Sequence, residues 1–349
     1  MRIAFVGIEK DWEDLKVRDY VYQFVKHHLE LPFYYCRDGG NSVDIWTNID
    51  KAMEVDNDSR CSSAPIQVRP NSEWSGGKQY DIVIHWRKWL EPFYSKNAIN
   101  VINSQDHSYS VEWLQKVQQA TKDRKLKGIL CFPEWHQNRL NSELNIYTHK
   151  PSLFAGVTLG VDTQVYRPSE NKNPHELLWA SDIGRGLFNG SFLSVVADLF
   201  KRDQSIKANV CYPDYTDSYN LSIGHPAIKL HKNLDNGPEL WNLFNTCGFL
   251  PYTSTFTEPS SRAHRQAMAS GCVVLYPPNM GTPSDLLTDN VDGFVRPVSE
   301  WVDIITTLIE DEDEFNRISK NAREHAVREN WEAQSKRFNR LFEGLLNDD

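Results

Sequence analysis

The residues best suited to chemistry lie between Thr253 and Val295, TSTFTEPSSRAHRQAMASGCVVLYPPNMGTPSDLLTDNVDGFV. A polar loop carries one acid, Glu258, and a helix of small residues follows, ending at Ser270-Gly271. Then come an apolar strand, Cys272–Tyr276, a loop with Pro and Gly, and a turn at Asp292-Gly293. Loop, helix, strand and loop in that order bring backbone N–H groups and the positive end of a helix dipole beside a carboxylate. The N–H groups take phosphate oxygens and the carboxylate takes hydroxyls. The combination suits a ligand bearing both, such as a nucleotide sugar.

Two series of strand-then-helix units must position this stretch. The first reads as strands Ile3–Val6, Val43–Thr47, Ile82–Trp86, Asn100–Asn103 and Gly128–Phe132, with helices over Arg18–Leu29, Ser110–Ala120 and His136–Leu144. The runs are short and continuously apolar, as parallel strands covered on both faces are. The second series reads as strands Leu177–Ala180, Ala208–Tyr212, Ile228–Leu230, Phe249–Tyr252 and Cys272–Tyr276, with helices over Ser191–Lys201, Pro238–Cys247 and Ser261–Ser270. The chain closes on helices Trp301–Glu310, Glu312–Asn330 and Glu332–Leu346. Acids at Glu310–Glu314 read as a helix break, favourable at the next N-terminus; a partner-binding tail is the alternative. A polar, Pro-bearing linker spans 162–176. The expected division is residues 1–161, the linker 162–176, 177–330, and a last helix over 331–349 packing back on the first domain. The fold class is α/β, two doubly wound domains facing a cleft.

Bulk properties agree with a two-domain protein, since 349 residues exceed one domain of roughly 150. The formal charge of −9 is uneven: residues 1–168 hold 21 Lys+Arg against 21 Asp+Glu, and residues 169–349 hold 17 against 26. No domain is basic overall, which excludes a general nucleic-acid binder. The six cysteines show no metal-like spacing, and those in ILCF, NVCY and GCVV read as small core residues in a reducing compartment. No apolar run approaches the roughly 18 residues of a membrane span, and acids follow the first apolar run at once, so a cytoplasmic protein is expected.

The order of features resembles the retaining glycosyltransferases of the GT-B fold, family 4 type. Leu159-Gly160-Val161-Asp162 with Tyr166-Arg167-Pro168 is similar to the family's crossing between domains. Ala180–Leu187, ASDIGRGL, is similar to its phosphate-contacting loop, Thr253–Val295 to its donor site, and Trp331 to a Trp near its final crossing. The family signature is Glu, seven residues, Glu, then Ala-Met-Ala-x-Gly. Here Glu258 holds the first position, Gln266 stands at the second, and Ala267-Met268-Ala269-Ser270-Gly271 follow.

The resemblance implies that Glu258 contacts the donor sugar and Gln266 the nucleotide ribose, an amide both donating and accepting there. It implies phosphate contacts from Arg185 and Gly186 in the Gly-Arg-Gly turn, from Ser260 and Ser261, and from Arg262 in place of a missing lysine. Gly281 and Thr282 would line the sugar pocket, and His107, in VINSQDHSY, would lie near the reacting face. Catalysis would rest on His107, Glu258 and Arg185, with no metal, no further cofactor and no protein nucleophile. His264 and Arg265 are weaker candidates that would otherwise cover a domain edge. For the acceptor, the loop from Gly7 and the aromatic segment HWRKWLEPFY with Trp86 and Trp89 are candidates, because indole faces suit sugar rings; ordinary aromatic packing is the alternative. Five basic residues and one acid within Lys116–Lys127 would meet an anionic acceptor or a membrane surface, or form a solvated face. The expected partners are a nucleotide-sugar donor and a carbohydrate, lipid-linked or small-molecule acceptor. An epimerase, or a sugar-nucleotide binder without transfer, is the rival reading.

Overall fold

The computed structural model describes residues 1–7, 40–49, 52–55, 66–104, 109–144, 150–180, 191–212, 224–232, 237–253, 262–281 and 286–347. They form two compact units, Met1–Leu159 with Trp331–Asp349, and Gly160–Asn330.

The first unit is built on one sheet. Its strands are β1 (Arg2–Val6), β2 (Ser42–Thr47), β3 (Met53–Val55), β4 (Ile66–Pro70), β5 (Ile82–Trp86), β6 (Ile99–Asn103), β7 (Gly128–Cys131) and β8 (Leu153–Gly156). Their order across the sheet is β3-β4-β2-β1-β5-β6-β7-β8, parallel throughout except for the edge pair β3–β4. Strands β1 and β5 are buried over their apolar residues because both faces are covered. Helices α1 (Val111–Lys122) and α2 (Trp135–Leu144) belong to this unit. Ser110 starts α1 by accepting from the backbone N–H of Trp113 at 3.1 Å, a side-chain cap. The expected helix at Arg18–Leu29 lies outside the described residues.

The last helix completes this unit. Trp331, Phe338, Phe342 and Leu345 are buried in the same core as Ile3, Phe5, Ile45 and Ile84. They recur at spacings near four and seven, so one face of the helix carries them.

The second unit has a six-stranded parallel sheet of β9 (Asn173–Ala180), β10 (Lys207–Tyr212), β11 (Ile228–Lys232), β12 (Cys247–Pro251), β13 (Val273–Tyr276) and β14 (Phe294–Val295), in the order β11-β10-β9-β12-β13-β14. The helices are α3 (Ser191–Arg202), α4 (Pro238–Thr246), α5 (Arg262–Ala269), α6 (Trp301–Glu310) and α7 (Glu312–Arg328); α8 (Trp331–Asn347) is the helix that returns to the first unit. Two apolar cores lie on this sheet, one around Leu177, Trp179, Phe249 and Trp301 and the other around Leu178, Leu250, Ala267 and Tyr276. The acids at 310–314 do form a break: Asp311 accepts from the N–H of Glu314 at 3.0 Å, and Glu312, Asp313 and Glu314 fill the first turn of α7. Strand β9 begins at Asn173, so part of the segment read as linker is sheet. The four cysteines among the described residues, Cys131, Cys211, Cys247 and Cys272, are free and buried.

Candidate functional site

In the second sheet the strand order runs from β9 outward to β10 and β11 on one side and from β12 to β13 and β14 on the other. The point between β9 and β12 is where the winding reverses, and open parallel sheets bind ligands at the carboxyl ends of the strands flanking such a point. Strand β9 ends at Ala180 and the chain passes into 181–190, which holds Arg185 and Gly186. Strand β12 ends at Pro251 and, after Thr253, the chain passes into 254–261, which holds Glu258, Ser260 and Ser261. These five residues lie outside the described residues, as do Thr282 and His107. The two segments predicted to hold phosphate and sugar nevertheless leave from the two strands that flank the switch point.

The described residues around the ends of these strands are aromatic and under-bonded. Tyr252 stacks between Trp179 and Tyr276, with ring centroids 6.3 and 5.8 Å away. His264, in the first turn of α5, meets Tyr252 and Tyr276 edge to face at 4.6 Å each. His264 is 3 % exposed and Thr253 2 %, yet among the described residues both ring nitrogens of His264, the Thr253 Oγ1 and the Trp179 Nε1 have no hydrogen-bond partner. An unsatisfied buried polar group costs about 1–3 kcal/mol, so native folds seldom gather several in one place unless function requires it. Burial, with the charge of Arg265 second, pushes the His264 pKa down to about 3, so the ring is neutral. Arg265 is also buried, and burial lowers its pKa to about 10 against the opposing charge of Glu329. Both residues therefore lie inside the unit, so the alternative reading, that they cover a domain edge, does not hold; His264 faces the Tyr252 and Tyr276 rings.

Arg262 and Gln266 are half-buried and lie four residues apart, hence on one face of α5. The helix ends in a Schellman motif. Gly271 N–H bonds the Met268 carbonyl at 2.9 Å and Cys272 N–H the Ala267 carbonyl at 2.8 Å, with Gly271 at φ 72°. Gly281 is buried at φ 103°, so its backbone alone requires glycine. Around the Gly160 segment, Asp162 Oδ1 accepts from the N–H groups of Gln164 and Val165, and Arg323 donates to the carbonyls of Tyr166 and Thr163, which anchors it to α7.

In the first sheet the switch point lies between β1 and β5. Gly7 follows β1 at φ 84°, a left-handed backbone that calls for glycine, and a Cβ there would also have to push aside the Leu90 Cδ1 at 2.5 Å. Trp86 is 5 % exposed in the core, tilted against Phe5, and Trp89 is 7 % exposed, lies over His85 at 4.4 Å and donates from Nε1 to Glu91 at 2.8 Å. Both indoles thus serve packing, the alternative open in the sequence. His85 is wholly buried with its pKa pushed down to about 4 by desolvation; its Nδ1 accepts from Leu90 N–H at 3.3 Å.

The segment holding His107 is bracketed by a chain that sequence reading missed. Ser104 Oγ and Tyr109 OH lie 2.5 Å apart, Tyr109 OH and His136 Nε2 lie 2.7 Å apart, and His136 Nδ1 accepts from Phe132 N–H at 3.1 Å. The last bond makes Nε2 the protonated nitrogen of a neutral ring, donating to Tyr109. The spacing of Ser104, Tyr109 and His136 gives no motif, and the burial of His136 that joins them is not written in the sequence. Among the described residues no group of three or more His, Cys, Asp or Glu side chains could hold a metal ion, and no helix is long and apolar enough to cross a membrane.

No protein-family model matches the chain, and no curated protein matches its sequence. Solved structures do match. Anabaena HepE in complex with UDP and glucose superposes with a TM-score of 0.68 at 16 % identity, over 99 % of this chain and 100 % of that one. The sucrose-phosphate synthase of Thermosynechococcus elongatus gives a TM-score of 0.69 at 12 % identity, over 100 % of both chains. The pneumococcal O-GlcNAc transferase GtfA in complex with UDP and GlcNAc gives 0.58 at 12 % identity, over 76 % of this chain and 57 % of that one. The fold is accordingly that of the GT-B glycosyltransferases, two Rossmann-like parallel-sheet units with the last helix returned to the first.

Proposed function

We propose that this chain is a glycosyltransferase that takes a sugar from a nucleoside-diphosphate sugar, UDP- or GDP-linked, and passes it with retention to a hydroxyl of a glycan, a lipid or a small molecule. The observation that carries the reading is the switch point between β9 and β12, the strands from which the segments bearing Arg185 and Glu258 leave, with buried polar atoms near those strand ends that have no partner among the described residues. The solved structures of like fold that hold UDP support it.

Departure of the diphosphate builds charge on its oxygens, and fixed cations and N–H dipoles lower that barrier. In this reading Arg185 and Arg262 supply the cations and the N–H groups at Ser260 and Ser261 the dipoles, so no metal takes part. Glu258 holds the sugar hydroxyls and Gln266 the ribose. The acceptor attacks the face the leaving group departs from, and its proton passes to the leaving phosphate; His107 orients the donor on that face.

The test is transfer or donor hydrolysis by the purified full chain against a panel of UDP- and GDP-sugars, with and without chelator. Glu258→Ala and Arg185→Ala should each lower turnover at least tenfold, about 1.4 kcal/mol of transition-state stabilisation. Wild-type turnover in both variants refutes the site, and loss of activity in chelator refutes metal independence. Gln266 favours one second reading, a protein that binds the sugar nucleotide without transfer; binding without turnover across the panel would select it.

A further inference from the structure

Thr253 and His264 stand on either side of the segment that bears Glu258, five residues before that acid and six after it. Thr253 comes just after β12, and His264 lies in the first turn of α5. The His264 ring is 4.6 Å from each of the Tyr252 and Tyr276 rings, which stack on one another at 5.8 Å. Tyr252 follows β12 and Tyr276 ends β13, and from these strands leave the segment 254–261 and the loop that holds the buried Gly281. The imidazole thus lies between the two strand ends whose segments the transferase reading gives to the donor's sugar.

Both side chains are all but fully buried, and among the described residues Thr253 Oγ1 and both nitrogens of His264 have no hydrogen-bond partner. Each such atom costs about 1–3 kcal/mol, and valine for Thr253 or phenylalanine for His264 would remove that cost at similar volume. Departures of this kind from a well-satisfied interior gather at functional sites. The chemistry of the pair selects its partner. Burial, with Arg265 second, keeps the imidazole neutral, so it carries one N–H donor and one bare nitrogen that accepts. The threonine hydroxyl also both donates and accepts. A sugar hydroxyl does the same and can serve either group. A phosphate or carboxylate only accepts, and would set negative charge against the bare nitrogen. Arg265, the neighbouring cation, lies about 100° further round α5. The charge that opposes it is Glu329, at the end of α7.

We propose that Thr253 and His264 are specificity-determining residues that bind hydroxyls of the donor's sugar, so that the sugar carries a free, neutral hydroxyl where it meets α5. The inference rests on the transferase reading and adds to it two contacts and the chemistry they select. Hydrogen bonds made away from water are the stronger ones. A site built to bond a hydroxyl rejects the ligand that lacks it, because its own polar groups then stay unpaired.

The experiment is calorimetric titration of the full chain with UDP, GDP, UDP-glucose and GDP-mannose, beside thermal unfolding without ligand. The wild type should bind one of the sugar nucleotides at least tenfold more tightly than its bare nucleotide. Thr253→Val and His264→Phe should each cut that ratio severalfold and leave the bare nucleotide within about twofold. Both should also raise the melting temperature, because an unsatisfied polar group is gone. A structural pair bridged by an internal water would instead lose melting temperature on substitution and keep the ratio, which overturns the inference. Equal weakening of nucleotide and sugar nucleotide overturns it as well, since the pair would then contact phosphate. A wild type that binds a bare nucleotide and gains nothing from the sugar overturns it and leaves the nucleotide site standing. Binding of none of the four ligands removes the transferase reading and this inference together.

Discussion

His264 is neutral because the fold gives its charge no solvent and places Arg265 beside it. The unfolded chain protonates this ring near pH 6.5 and the folded chain only near 3, so between those values the unfolded state binds more protons and stability falls as acid is added. His85 behaves likewise down to about pH 4. Each should cost about 1.4 kcal/mol per pH unit across its window. Denaturant titrations at pH 6.5 and 5.0 should therefore show a smaller loss for His264→Phe than for the wild type; equal losses would contradict the assignment. Gln266 gives a second prediction. Gln266→Glu restores the acid of the family signature and should tighten donor binding by about 1 kcal/mol, roughly fivefold, through a charge-assisted bond to the ribose. Titration with the preferred donor would read it. At this scale the sequence was legible only in part. The order of Glu258, Gln266 and Ser270-Gly271 was readable because the loop and helix are local in the chain. The burial of His264 was not, because the rings that enclose it are far apart in the chain, Tyr252 just after β12 and Tyr276 at the end of β13.

Helix α5 joins the candidate site to the sheet, and its end is set by one glycine. Gly271 occupies the left-handed region, and a Cβ there would meet Ser319 Oγ at 2.9 Å, the same hydroxyl that donates to the Gly271 carbonyl at 2.6 Å. Gly271→Ala should destabilise the protein by about 1–3 kcal/mol, measurable by thermal or urea unfolding. An unchanged midpoint would show that the motif relaxes freely. Among elements, the legible ones were those with unbroken apolar runs or sharp ends. Ile82–Trp86 and Trp301–Glu310 appear with the bounds the sequence suggested. Strand β4, IQVRP, was missed because Gln67 and Arg69 alternate with its buried residues and Pro70 ends it. The start of β9 was missed because Asn173–Glu176 is polar and contains Pro174; the register between β9 and β12 is irregular there. In both cases partner strands, not local propensity, make the element.

At the scale of the molecule, the first unit is built from two separated stretches of chain. Removing residues 331–349 takes Trp331, Phe338, Phe342 and Leu345 from its core. Losing even one large core side chain costs about 2–5 kcal/mol, so losing four, about 8–20 kcal/mol, matches the whole 5–15 kcal/mol of a typical fold. Calorimetry of the truncated protein should show the transition of the second unit and none from the first; two intact transitions would contradict this. The two-unit plan and the returning helix were legible from the alternation of strand and helix patterns and from the amphipathic face of α8. The antiparallel edge at β3 was not, since three residues carry no pattern. The split core also sets an order in time. A ribosome must make the whole of Gly160–Asn330 between the two parts of the first unit. At about 5–20 residues per second this is a delay of roughly 10–35 s, during which the nascent second unit can fold while the first waits unfinished. The half-built sheet is then the surface that chaperones would meet.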